Sequence, residues 1–198
     1  FLGPAPTITP DEITEEMLSS YQCIYIEGYL LVNEELVRTT MQKAKKLGLK
    51  VALDLSNFNI VNAFKGMLED IIPKYVDILF SNESEAEAFT GQKAAEAVHT
   101  LSDLVEVSLV TLGKEGALIG SHGQFYSVPA EGGKPVDTTG AGDNFAAGFL
   151  YGQSIGASLV QSARIGSMLA GYVIDVVGPG IPYDKWEQIK LKVKGILA

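Results

Sequence analysis

Asp137-Thr138-Thr139-Gly140-Ala141-Gly142-Asp143-Asn144-Phe145 is the stretch on which the reading of the fold turns. Gly140 and Gly142 carry no Cβ, so backbone N–H groups there can come close to a ligand. Phe145, Ala146, Phe149 and Leu150 then supply the i, i+4 apolar stripe of a helix that begins at this turn. A glycine turn that runs into a helix N-terminus makes an anion hole, because unpaired N–H groups and the helix dipole point the same way. Two familiar phosphate-binding arrangements are excluded. A Walker A loop ends in Gly-Lys-Ser/Thr, and a dinucleotide fingerprint needs a small residue where Phe145 stands and a βαβ unit after it. The rest of the α/β unit therefore has to lie upstream.

Upstream, apolar runs of strand length alternate with segments of helical period. Cys23 to Ile26 reads as a strand. A helix from about Asn33 follows, with Leu36, Val37, Met41, Ala44 and Leu47 on one stripe and Gly48 as its stop. Val51 to Leu55 is a second strand, about Val61 to Ile72 a helix ended by Pro73, and Val76 to Phe80 a third strand. Strands joined by helical crossovers imply a parallel sheet covered on both faces. Asn82 to Thr90 and Lys93 to Thr100 read as short helices parted by Gly91, before a fourth strand from Val105 to Leu112. The alternation then breaks. Gly120-Ser121-His122-Gly123, between Ala117-Leu118-Ile119 and Phe125-Tyr126-Ser127-Val128, signals a hairpin that adds an antiparallel edge. Pro129 to Pro135 is a loop, and helices are expected over about 142–152, 159–176 and 183–197.

The 198 residues suffice for a single α/β domain spanning 1–198. Hydrophobic residues at 46% and charged residues at 20%, against a usual value of about 25%, exclude a disordered chain and a coiled coil. The net charge of -9 opposes binding to nucleic acid or to an anionic membrane surface. The longest uncharged run, within 144–163, holds Gln153, Ser154, Ser158 and Gln161, which is wrong for a membrane span. A single cysteine, Cys23, excludes an intrachain disulfide and fits a reducing, cytoplasmic setting. No basic segment followed by an apolar one opens the chain, so no signal peptide is expected, and Phe1 in place of Met points to a shortened chain.

An acid directly after two phosphate-binding glycines would repel the anion unless it has a chemical task. Asp143 makes sense as a base that takes a proton from a hydroxyl attacking phosphorus, while the neighbouring N–H groups stabilise the transferred charge. The plainer alternative is a loop whose acid suits the helix dipole. Arg38 and Arg164 are the only arginines and neither sits in a motif, so electrophilic help falls to backbone, metal or lysine. His99 and His122 read as surface residues.

Asp-Thr-Thr-Gly-Ala-Gly-Asp resembles the C-terminal signature of the ribokinase-like (PfkB) family of sugar and nucleoside kinases. Val76 to Ala86 resembles the family's strand leading into its Asn-x-x-Glu motif, and Val110-Thr111-Leu112-Gly113-Lys114-Glu115-Gly116 resembles its nucleotide loop. The resemblance implies a three-layer ribokinase-like α/β fold, a mostly parallel sheet with an antiparallel hairpin edge. It implies Asp143 as general base, with Gly140, Ala141 and Gly142 as the anion hole. It places Asn82 and Glu85 on Mg²⁺ and the phosphates through water, and Thr111, Gly113 and Gly116 along ATP. Ser167 stands where relatives place Asn or His near the adenine. Asp137 and the Thr139 carbonyl match the family's monovalent-cation site, so K⁺ is implied as well.

By the same resemblance the first strands, the Gly-Gly substrate motif and the lid lie outside this chain, which is then the C-terminal two-thirds of a kinase. Such a piece should not turn over, with at most weak nucleotide binding surviving, and its open sheet edge should favour a homodimer. The intact parent would move the γ-phosphoryl group of ATP to a hydroxyl of a nucleoside or sugar. Tyr25-Ile26-Glu27-Gly28-Tyr29 and Val76 to Glu85 look closest to the adenosine-kinase-like branch. The rival is a nucleotide-binding or regulatory relative that kept the fold without catalysis; a binding module has no use for Asp143 as a base.

Overall fold

Strands sandwiched between helices are apolar on both faces, and the central strands are built this way. Lys50–Asp54 (β2), Ile78–Asn82 (β3) and Val107–Thr111 (β4) carry consecutive buried residues; Val51, Ala52, Leu53, Leu79, Leu109 and Val110 are fully covered. With Cys23–Glu27 (β1), Ala117–Ser121 (β5) and Gln124–Val128 (β6) they form one sheet in the order β1-β2-β3-β4-β5-β6. β1, β2 and β3 pair in parallel, with Glu27 opposite Asp54 and Asp54 opposite Phe80. The β4–β6 edge is antiparallel, so the fold is the expected three-layer α/β arrangement around a mixed, mostly parallel sheet. This computed structural model describes Gly3 and residues 7–198; Phe1, from which the shortened chain was read, lies outside them.

A short helix that the sequence reading lacked, Glu15–Leu18 (α1), is capped by Thr14, whose hydroxyl accepts from Met17 N–H. Glu34–Lys46 (α2) follows the expected stripe, burying Leu36, Val37, Met41 and Ala44. Asn33 caps its N-terminus, with acids in the first turn and lysines in the last, each sign favoured there by the helix dipole. The helix expected over 61–72 is two helices, Phe58–Ala63 (α3) and Lys65–Tyr75 (α4), broken at Phe64. Pro73 lies inside α4 and does not end it. It sits in the last turn, where only one intrahelical bond is lost to its missing N–H. Glu83–Thr90 (α5) and Ala94–Ser102 (α6) are parted by Gly91 in the left-handed region, φ 75°. The hairpin turn is tighter than expected. Only His122 and Gly123 form it, at φ 48° and 74°, the double positive φ of a type I′ turn, while Gly120 and Ser121 belong to β5.

The chain groups into two compact units, one comprising the chain up to Val110 with Gly120–Phe125, the other Thr111–Ile119 with Tyr126–Ala198. The first carries the parallel strands and α1 to α6. In the second, Ala141–Ser154 (α7) and Leu159–Val173 (α8) approach backbone to backbone: a Cβ on Gly148 would lie 2.7 Å from Gly166 Cα. Trp186–Leu197 (α9) then closes on α8, with Ile165, Met168, Leu169, Ile189, Val193 and Ile196 forming one buried cluster.

Candidate functional site

In the second unit the glycine turn is over-determined. Gly140 is the N-cap of α7 at φ 78°, ψ 6°, and a Cβ there would sit 2.8 Å from Pro179 Cβ, so both backbone and space demand glycine. Asn144 Nδ2 donates to the carbonyls of Gly140, at 2.9 Å, and Pro179, at 3.2 Å. Asp137 ties the other side: its Oδ1 accepts from Thr139 N–H and Oγ1 at 2.9 and 2.7 Å, and its Oδ2 from Gly178 N–H at 2.9 Å. The Gly178 bond, followed by those from Thr139, holds the Asp137 carboxyl below the usual carboxylate range. Two protein loops thus clamp the start of α7.

Of the expected anion hole, Ala141 N–H is already committed to the Thr138 carbonyl at 3.1 Å. Gly142 and Asp143, the second and third helical positions, keep N–H groups with no protein acceptor among the described residues, and no side chain caps them. Gly142 has no left-handed φ, and a Cβ there would meet nothing within 4 Å. Among the described residues nothing requires glycine at Gly142. Asp143 is exposed on the same turn.

The expected nucleotide residues lie on the connection from β4 to β5. Thr111 ends β4, and Gly113–Glu115 forms a 3₁₀ turn closed by Leu112 N–H on the Gly116 carbonyl at 2.8 Å. A Cβ on Gly116 would lie 1.9 Å from the Val128 carbonyl oxygen, so the turn abuts the exit of β6. Ser167 reaches that exit too, but inwardly. It is 6% exposed, and its hydroxyl donates to the Pro129 carbonyl at 2.8 Å and accepts from Glu131 N–H at 3.1 Å. The hydroxyl thus fastens the loop after β6 to α8.

In the first unit, Asn82 and Glu85 are brought together by a reciprocal cap on α5. Asn82 Oδ1 accepts from Glu85 N–H at 3.0 Å, while Asn82 N–H and Nδ2 donate to the two Glu85 carboxyl oxygens at 2.8 and 2.6 Å. Glu85 is 4% exposed, and burial raises its pKa. Two acids that the sequence reading missed stand beside it. Parallel register ends β1 at Glu27, β2 at Asp54 and β3 at Asn82, the carboxyl ends where open α/β sheets bind ligands. Asp54 accepts from Ser56 N–H at 2.6 Å and Tyr25 Oη at 3.1 Å, yet burial, and then the charges of Glu85 and Glu27, push it up to about 7. Ser56, at φ 62°, donates from its hydroxyl to Glu27 at 3.2 Å. The available signal was positional, an acid closing each of the first two strands.

This donor set suits a hard divalent cation held through water. The acids are crowded, and a cation would offset the charges of Glu85 and Glu27 that add to burial in raising Asp54. Direct ligation is not indicated, since among the described residues no three His, Cys, Asp or Glu side chains are arranged to hold a metal.

The chain is 32% identical to adenosine kinase of Saccharomyces cerevisiae, over 93% of its own length and 59% of that protein. It is 28% identical to an uncharacterized sugar kinase of Archaeoglobus fulgidus, over 91% and 72%. Among solved structures it superposes on a probable sugar kinase from Rhizobium etli with a TM-score of 0.89 at 30% identity, covering 96% of this chain and 59% of that one. Adenosine kinase from Sinorhizobium meliloti gives 0.88 at 28%, covering 94% and 59%. The chain spans about three-fifths of the length of most of these relatives. Residues 3–186 match the pfkB family of carbohydrate kinases, and the chain belongs to that family.

Proposed function

We propose that these residues form the phosphate-handling part of an ATP-dependent kinase that phosphorylates a hydroxyl of a nucleoside or sugar, adenosine being favoured. The observation that carries this reading is the start of α7, where two N–H groups without protein partners among the described residues share one turn with an exposed carboxylate. Similarity to the yeast and Sinorhizobium adenosine kinases supports the nucleoside acceptor, and the sugar-kinase relatives keep a carbohydrate as the alternative.

In this reading the Gly142 and Asp143 N–H groups hold the transferred group and stabilise its developing charge. Asp143 accepts the proton of the attacking hydroxyl, the new O–P bond forms on that oxygen, and the old P–O bond breaks toward ADP. When bound, Mg²⁺-ATP supplies the electrophilic phosphorus. Asn82, Glu85 and Asp54 order water around the cation, Thr111, Gly113 and Gly116 border the nucleotide, and Asp137 with the Thr139 carbonyl borders K⁺. Cys23, the single cysteine of the sequence, fits a kinase of a reducing compartment. The test is Asp143→Asn in the intact kinase. It should lower kcat by about 10² to 10⁴ with ATP affinity nearly unchanged. Retention of more than about a tenth of kcat would remove Asp143 from the role of base.

A further inference from the structure

The carbonyl of Gly140 is bonded twice by one residue. Asn144 N–H and Asn144 Nδ2 both donate to it, each at 2.9 Å. At the other end of the same peptide unit, Ala141 N–H donates to the Thr138 carbonyl at 3.1 Å. That peptide plane is held from both sides, and the next two N–H groups along the chain are those of Gly142 and Asp143. Asn144 Nδ2 also leaves the helix and reaches the Pro179 carbonyl at 3.2 Å. A primary amide can serve two carbonyls because its nitrogen carries two donors.

Two bonds therefore cross from the phosphate turn to the loop after α8, and they leave from opposite ends of the turn. Gly178 N–H donates to Asp137 Oδ2 at 2.9 Å, and Asn144 Nδ2 donates to Pro179. Gly140 lies between them against Pro179, where a Cβ would stand 2.8 Å from Pro179 Cβ and 2.9 Å from its Cα. No side chain caps the start of α7, so the direction of its free N–H groups depends on how this turn is held. Donors aimed beforehand stabilise developing charge without reorganising. We infer that Asn144 is a positioning residue of the phosphoryl transfer proposed above, on which this inference rests. Its bond to Pro179 keeps the first turn of α7 in place, so that the Gly142 and Asp143 N–H groups stay aimed at the γ-phosphoryl group. Asn144 acts through the 140–141 peptide and not on the phosphoryl group itself.

Two variants of the intact kinase separate the two bonds of the amide. Asn144→Leu keeps the branched shape without a donor. Asn144→Ser keeps a hydroxyl that can bond the carbonyl four residues back, that of Gly140, but is too short to reach Pro179. Calorimetry with ATP and with ADP gives an affinity ratio that reads the γ-phosphoryl site, whereas a general loosening of the fold, followed by urea unfolding, weakens both nucleotides alike. The ATP-over-ADP ratio should fall roughly five- to ten-fold in both variants, the size of one net hydrogen bond. ADP affinity and acceptor KM should stay unchanged while kcat falls by a similar factor. A wild-type enzyme with no preference for ATP would overturn the phosphate-binding role of the turn and this inference with it. A wild-type preference that survives in Asn144→Leu would overturn the inference alone, whether or not both nucleotides bind more weakly. A preference kept in Asn144→Ser would overturn it too, by leaving the Pro179 bond without effect, and this variant decides the matter should Asn144→Leu fail to fold.

Discussion

Replacing Asp54 with asparagine tests the carboxylate cluster at the carboxyl ends of β1 to β3. Asp54 is raised from 3.8 to about 7, chiefly by burial and then by Glu85 and Glu27. A raised carboxyl pKa means that the folded state holds a proton the unfolded chain has released. Its contribution to stability is therefore full below about pH 4 and is lost as pH rises toward about 7. Three pH units correspond to about 4 kcal/mol at 1.36 kcal/mol per unit, an upper value. Asp54 is only partly buried and water screens its neighbours, so about 2 kcal/mol is the working figure. Near pH 5 the wild-type side chain is a neutral acid, and the amide of the Asp54→Asn variant offers Ser56 N–H the same acceptor and Tyr25 a neutral partner. The two proteins should then agree within about 1 kcal/mol. Near pH 8 wild type ionises beside Glu85 and Glu27, and Asp54→Asn should be relatively more stable by about 2 kcal/mol. Urea unfolding of both proteins at the two pH values, with EDTA present, gives the double difference, from which every titrating group not coupled to Asp54 cancels. Parallel pH profiles would refute the coupling of Asp54 to the cluster.

Gly140→Ala should destabilise the protein by about 1 to 2 kcal/mol from left-handed strain alone, with the Pro179 contact adding to it. Gly142→Ala should leave stability unchanged or slightly raised and yet weaken ATP binding in calorimetry; equal loss of stability in both variants would mean that Gly142 serves the fold and not a ligand. Glu85→Gln in the intact kinase should raise the Mg²⁺ concentration for half-maximal rate more than the acceptor KM, and the reverse pattern would place Glu85 at the acceptor. Replacing K⁺ with a bulky organic cation should slow that kinase several-fold, whereas equal rates would detach Asp137 and Thr139 from any cation.

The period of the sequence alone located the parallel strands, α2, and the α7 and α8 pair, because burial on one or both faces writes itself into apolar spacing. Gly140 and Asp143 were legible for a similar reason: a positive φ and a helix start admit few residue types. Local rules were weaker where context could override them. Pro73 could be absorbed in a last turn, and two residues, not four, were enough for the hairpin. The bonds of the Ser167 hydroxyl to Pro129 and Glu131 were likewise beyond the reach of sequence, since they join segments 36 and 38 residues apart. Only tertiary structure could bring Glu27, Asp54 and Glu85 together, since they lie on three segments 27 and 31 residues apart and meet through strand register. The crowding that raises Asp54 is likewise a property of that register. A pairwise Coulomb interaction depends on distance in space, and sequence spacing constrains that distance only within a single turn or strand.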